Sequence, residues 1–251
     1  MEISSIIQEA REYTVKNNIY YFVQNESERP EWSKRLNNYF INNNTDLNMK
    51  IRYQQNKQRN VSPSFKRFFE YISKDNGIMI DLASGPSGYF SPLLDTLCED
   101  NALIITDACP VVINAHSAAC NHPSFYVFDI DLDKNMPFKN DSINAFSGNL
   151  LNNVDNYAGL LCEIYRCLKP GGRFAVIEMF FEHGCKTYEY LNNCGKVWAS
   201  FETYVDSCKK IGFSYIDSEI IGNRKGKISD GDLFPLDDND SSTDRIIYFK
   251  K

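Results

Sequence analysis

The sequence predicts an α/β protein built on a seven-stranded, mostly parallel sheet, with an antiparallel C-terminal hairpin and an N-terminal helical cap. Three observations lead there. From Ser62 onward, five short apolar runs alternate with stretches of helical periodicity. Two more apolar runs then follow one another with no helical pattern between them. Ahead of the first run, apolar residues recur every three to four positions, as a helix with one buried face requires.

The five runs are Ile78 to Leu82, Ala102 to Thr106, Phe125 to Phe128, Ile143 to Phe146 and Phe174 to Ile177. Continuous apolar runs separated by room for a crossover helix read as parallel strands covered on both faces. Phe213 to Ile221 and Arg245 to Phe249 suit an antiparallel pair, which needs no crossover. The stretch 223–243 between them is rich in Gly, Asp, Ser and Asn, so a long, mobile loop is expected at their turn. At the other end, Ile3-Ile6-Ile7-Ala10 and Phe65-Phe68-Phe69-Ile72 fall at i, i+3, i+4, i+7. Pro30 and Pro63 stand where helices open. The expected division is a helical cap or lid over 1–61 and a sheet-bearing domain over 62–251.

A chain of 251 residues can bury one large core and carry an appendage. No apolar run approaches the roughly 20 residues needed to cross a bilayer. The start, Met1-Glu2-Ile3-Ser4-Ser5, lacks the basic and apolar regions of a signal peptide. A cytoplasmic location without a membrane partner is expected. The eight cysteines contain no C-x-x-C pair and read as free thiols. A formal charge of −6, with Lys and Arg scattered along the chain, opposes binding to a phosphate backbone, so no nucleic-acid partner is expected. No His/Cys/Asp grouping has metal-ligand spacing, and no metal is expected.

The most informative stretch is Asp81-Leu82-Ala83-Ser84-Gly85-Pro86-Ser87-Gly88-Tyr89, a strand end running into a small-residue turn. Gly85 and Gly88 are expected to let backbone approach a ligand, and a helix starting near Tyr89 would offer free N–H groups to an anion. The pattern is close to a dinucleotide fingerprint, with Asp107 further on. Asp81 argues against that reading, because an acid beside a pyrophosphate would repel it, whereas an amino-acid ammonium would be attracted. Asp107, following Ile104-Ile105-Thr106, can accept hydrogen bonds from two hydroxyl groups at once.

Two downstream stretches sharpen the assignment. Asp131-Leu132-Asp133-Lys134-Asn135-Met136-Pro137-Phe138 and Glu163-Ile164-Tyr165-Arg166-Cys167-Leu168-Lys169-Pro170-Gly171-Gly172-Arg173 resemble, in order and spacing, the class I S-adenosylmethionine (SAM) dependent methyltransferases. The resemblance covers Met79 to Lys251 and implies a Rossmann-like fold with SAM as cofactor. It implies that Asp81, Ala83, Ser84, Gly85, Pro86 and Gly88 cradle the methionine part, and that Asp107 with Ala108 takes the ribose diol. For adenine, either Asp129 with Ile130 or Asp131 with Leu132 fits, and Asp129 is preferred. Gly148 and Asn149 end the fourth predicted strand at the cofactor edge. The turn itself is similar to that of the nicotinamide, phenylethanolamine and thioether methyltransferases, where a tyrosine at the place of Tyr89 contacts the SAM carboxylate. Ala83 and Val112 depart from that subfamily's glycine and asparagine.

The implied activity is methyl transfer to a small molecule, with an amine nitrogen the first choice and an oxygen the second. The other class of role is a SAM-binding protein that catalyses a different reaction or serves a partner. The strand-four end Gly148-Asn149-Leu150-Leu151 lacks the signature of amino-methylating DNA enzymes. His183, after the fifth predicted strand, is the candidate base, and Glu178 with Glu182 are candidates for holding a cationic amine. Tyr20-Tyr21-Phe22, Tyr39-Phe40 and Tyr188-Tyr190-Trp198 are candidates for an aromatic roof. His116 and His122 read as structural.

Overall fold

Alternating side-chain direction along the strands sorts the apolar residues onto two faces. A computed structural model describes residues 2–59, 62–227 and 234–251. Its sheet has nine strands: β1 (Thr14–Lys16), β2 (Ile19–Tyr21), β3 (Ile78–Leu82), β4 (Ala102–Asp107), β5 (Phe125–Asp129), β6 (Ile143–Asn149), β7 (Leu168–Phe181), β8 (Ser214–Lys225) and β9 (Ser241–Lys250). They lie in the order β1-β2-β5-β4-β3-β6-β7-β9-β8. From β2 through β7 neighbours are parallel, while β9 and β8 run antiparallel. The seven expected strands are all present.

The correction lies at the N-terminus. Residues 14–21 fold into a small hairpin, and β2 extends the sheet parallel to β5. Ile3–Ile6 is a single 3-10 turn whose isoleucines are buried, and Ile7 bridges to Phe138. Helical spacing there marks burial against the sheet edge, because a short irregular segment can bury the same positions as a helix. True helices follow: α1 (Glu31–Asn42), α2 (Met49–Arg59) and α3 (Pro63–Ser73). Pro30 precedes the first turn of α1 and Pro63 opens α3, as expected.

Ile78, Ile80 and Leu82 face a core shared with α5 (Tyr157–Cys167), α6 (Lys186–Asn193) and α7 (Phe201–Ile211). Met79 faces the opposite core, shared with α1, α2, α3 and α4 (Pro110–Ala119). The sheet is thus covered on both sides, which is why its strands read as continuous apolar runs. On α3, Phe68, Phe69 and Ile72 are buried, each contributing about 1.5–3 kcal/mol.

Two local features differ from the sequence expectation. After β3 the chain forms turns and then only a 3-10 helix, Ser91–Thr96, so the α-helix expected to start near Tyr89 is absent. The expected Leu168–Gly172 turn is absorbed into β7 as a bulge, where pairing jumps from Ile143↔Leu168 to Ala145↔Arg173 and Gly171 takes φ 80°. The loop expected over 223–243 is shorter at both ends, since β8 runs to Lys225 and β9 begins at Ser241, and residues 228–233 lie outside the described residues. All eight cysteines are free. Among the described residues no helix is long and apolar enough to cross a membrane.

Candidate cofactor and active site

Parallel register brings the C-terminal ends of β3, β4, β5 and β6 side by side, aligning Asp81 with Ile105 and Ser147, and Asp107 with Asp129. Side chains spread over seventy residues of sequence therefore meet at one sheet edge, where open α/β sheets bind ligands.

The glycine turn is held by its neighbours on both sides. Thr106 Oγ1 accepts the Ala83 N–H at 3.2 Å, the Thr106 carbonyl accepts that of Ser84 at 2.8 Å, and Asp107 Oδ2 accepts that of Gly85 at 3.0 Å. The carbonyls face α2 and α4. His116 Nε2 lies 2.9 Å from the Gly85 oxygen, Arg52 donates to Pro86 at 3.0 Å, and Asn56 donates to Ser87 and Gly88 at 2.6 and 3.1 Å. Ala83, Gly85 and Gly88 all have left-handed backbone, with φ 45°, 58° and 64°.

The two glycines do different work. A methyl group on Gly85 would meet nothing closer than the Ala83 oxygen at 3.7 Å, whereas one on Gly88 would lie 2.8 Å from the Tyr53 ring. Gly85 opens onto a cavity, while Gly88 lets α2 pack close. Tyr89 also lies outside that cavity's lining, its ring 5.7 Å from that of Phe65 on α3.

The cavity, about 200 Å³, is lined by the turn from Ala83 to Ser87, by Asp107, by Asn149 to Leu151 with Asn153 and Val154, and by Trp32 and Leu36 of α1. Leu150 takes φ 54° and its N–H bonds to the Ile177 carbonyl at 2.8 Å, which turns the chain back over the site. Gly148 is outside the lining; a methyl there would strike Leu151 at 2.8 Å.

Three carboxylates are buried here. Asp81 receives the hydroxyls of Ser84 and Ser147, each at 2.6 Å, yet burial pushes its pKa up to about 6. Burial likewise raises Asp107 to about 6, against the backbone N–H groups of Cys109 and Gly85. Those bonds leave lone pairs on each Asp107 oxygen for further donors. Asp129 is fully buried and raised by burial, with Arg29 opposing the shift. Arg29 binds it through two bonds, Nη1 to Oδ1 at 2.8 Å and Nη2 to Oδ2 at 2.7 Å. Ala108 and Ile130 are buried as well and do not line the cavity. Asp131 bonds the Asp133 N–H at 3.0 Å and pairs with Lys134 at 3.4 Å, turning away from the cavity.

His183 and Glu178 fall elsewhere. The His183 side chain is 65 % exposed, 3.7 Å from Glu202, and packs on Tyr188. Glu178 is fully buried beneath the Leu150–Val154 loop, where Tyr157 donates to its Oε2 at 2.8 Å and burial raises its pKa to about 8. Glu182, exposed at the end of β7, lies outside the lining too. The roof aromatic is Trp32, which the sequence reading did not single out. Tyr20 and Phe22 instead pack on Phe128 at 4.8 and 5.3 Å, and Trp198 is buried against Phe234. Nothing near Arg29 in the sequence points to Asp129, a hundred residues away; only the fold pairs them.

Residues 80–176 match the family model described as a methyltransferase domain. No curated protein sequence is similar to the chain. Among solved structures it is similar to a SAM-dependent methyltransferase from Mesorhizobium loti, with TM-score 0.54 and 15 % identity over 76 % of this chain and 98 % of that one. It is similar to phosphoethanolamine N-methyltransferase 2 of Haemonchus contortus, at TM-score 0.54 and 16 % identity over 76 % and 54 %. The 4+2 cyclase SpnF has the same fold, at TM-score 0.53 and 17 % identity over 74 % and 80 %. For SAM, the open face of Gly85 and the spare lone pairs of Asp107 fit the methionine and ribose parts, whereas Arg29 fills the adenine side as the chain stands. The family match spans β3 to β7 and marks a methyltransferase domain over residues 80–176, on a fold that the chain shares with SAM-dependent methyltransferases.

Proposed function

We propose that this enzyme methylates a small molecule, preferably at an amine nitrogen. The supporting observation is the composition of the roofed cavity. Among its described lining residues Asp107 is the one ionisable side chain, and no Lys or Arg is present. With Asp107 given to the cofactor, a wall that holds no Lys or Arg favours a neutral or cationic acceptor over an anionic one, and the net charge of −6 opposes a polynucleotide.

SAM supplies a methyl group already activated on a sulfonium. The chain's part is therefore to orient the acceptor and exclude water. Asp107 and the Gly85 turn hold the cofactor, while Asn149 and Asn153 orient the acceptor's polar hydrogens. Trp32 offers an aromatic face to a flat or cationic acceptor. Residues 1–61 serve as the lid of the domain formed by 62–251.

An oxygen acceptor needs a base within hydrogen-bond reach. Neither His183 nor Glu178 lines the cavity, which favours an amine that arrives with its lone pair free. The SpnF likeness keeps a different reaction on the same fold as the competing class. Methyl-labelled SAM incubated with panels of small amines, phenols and oligonucleotides tests this. Label transfer to small amines, rising with pH as they lose their proton, is the expected result. Transfer confined to oligonucleotides or phenols, or SAM binding with no turnover on any panel, overturns it.

A further inference from the structure

The adenine side of the site is closed by the chain itself. Arg29 stands just before α1, 8 % exposed. Its guanidinium spans both oxygens of Asp129, donates to the Ala108 carbonyl at 2.6 Å, and donates from Nε to Glu26 Oε2 at 2.8 Å on its outer side. Ser33, one turn into α1 and fully buried, donates to the same Ala108 oxygen at 2.6 Å. One turn of chain thus covers Ala108 and Asp129, the residues at the ends of β4 and β5. The same helix carries Trp32 and Leu36 over the glycine turn. Ligand pockets occupy roughly 300–1,000 Å³, and the space left under α1 is about 200 Å³.

We propose that the Arg29–Asp129 pair is a latch that holds α1 over the cofactor site and must open before SAM can enter. This rests on the cofactor assignment above. The pair suits the task because the bidentate, buried geometry gives one well-defined closed position. Its ties are side chains of one segment, Arg29 and Ser33, so opening needs no change in the sheet. Asn37 Oδ1, which accepts the Val111 N–H at 3.3 Å, adds a second tie from α1 to the start of α4. With the latch shut only a fraction of molecules can bind, and apparent affinity falls by that fraction.

Two measurements test it. Stopped-flow binding of S-adenosylhomocysteine reads entry, and acrylamide quenching of Trp32 fluorescence without ligand reads the lid, since Trp198 is buried. The variants are Arg29→Ala and the double variant Arg29→Met with Asp129→Asn, which leaves no unpaired buried charge. The latch predicts a wild-type association rate that saturates with ligand concentration. It also predicts at least about a tenfold faster association in both variants, with stronger Trp32 quenching. Linear wild-type association, with rates and quenching unchanged within about twofold in both variants, overturns it. Stronger quenching with no ligand binding in any of the three proteins would support the latch and overturn the cofactor assignment instead.

Discussion

Asp107 Oδ2 accepts the backbone N–H of Gly85 at 3.0 Å, so the acid proposed for the ribose also fixes the turn proposed for the methionine part. Its other oxygen takes the Cys109 N–H at 2.8 Å. Asp107→Ala should weaken SAM binding, measured by calorimetry, by about 1.5–3 kcal/mol, the worth of hydrogen bonds to a charged group. Unchanged affinity would refute the assignment. Asp107→Asn should retain part of the turn geometry and lose less.

The left-handed residues of the turn should separate binding from folding. Gly88→Ala meets the Tyr53 ring and should lower stability by about 1–3 kcal/mol. Gly85→Ala has open space beside it, so its strain of about 1–2 kcal/mol comes with a new methyl in the cavity and a larger loss of SAM affinity. Ala83→Gly relieves a non-glycine φ of 45° and should be neutral or stabilising by up to about 1 kcal/mol once glycine's extra unfolded-state entropy is counted. Urea unfolding beside calorimetry gives all three.

His116 bridges two elements, with Tyr53 Oη at 2.6 Å from Nδ1 and the Gly85 oxygen at 2.9 Å from Nε2. The carbonyl requires Nε2 to carry the proton, so Tyr53 donates to Nδ1. Burial lowers the pKa of His116 to about 4. The folded value lies below the unfolded one, so this neutral ring's contribution is complete above about pH 6.5 and is lost as pH falls through about 4. His116→Phe should cost about 1–3 kcal/mol at pH 7 by leaving buried polar groups unpaired. Its deficit relative to wild type should shrink as the pH drops toward 4, as followed by thermal melts.

Glu178 has the opposite sign. Its pKa rises on folding from 4.5 to about 8, so its contribution is complete below 4.5 and is lost as pH rises through 8. Glu178→Gln keeps an acceptor for Tyr157 and cannot ionise. It should gain stability relative to wild type by a few kcal/mol, to order of magnitude, between pH 5 and pH 8.5. Parallel melting curves across that range would contradict the buried, protonated carboxyl.

The sequence by itself determined the seven core strands, the antiparallel C-terminal pair and the cofactor edge. Apolar runs covered on both faces, a strand-to-glycine turn and Asp107 are all local signals with a local physical cause. Their reach ended where partners lie far apart in sequence. Helical spacing in Ile3-Ile6-Ile7 could not reveal docking on the sheet edge, since burial repeats the same way in a 3-10 turn. The turn's glycines looked alike until α2 packed against Gly88 and left Gly85 facing the cavity. Asp129 is legible as an acid at a strand end, but its pairing with Arg29, a hundred residues away, belongs to the fold alone. Tertiary structure alone decided which predicted side chains share a cavity, because that depends on how α1 and α2 pack across the sheet edge, and packing is not periodic in the chain.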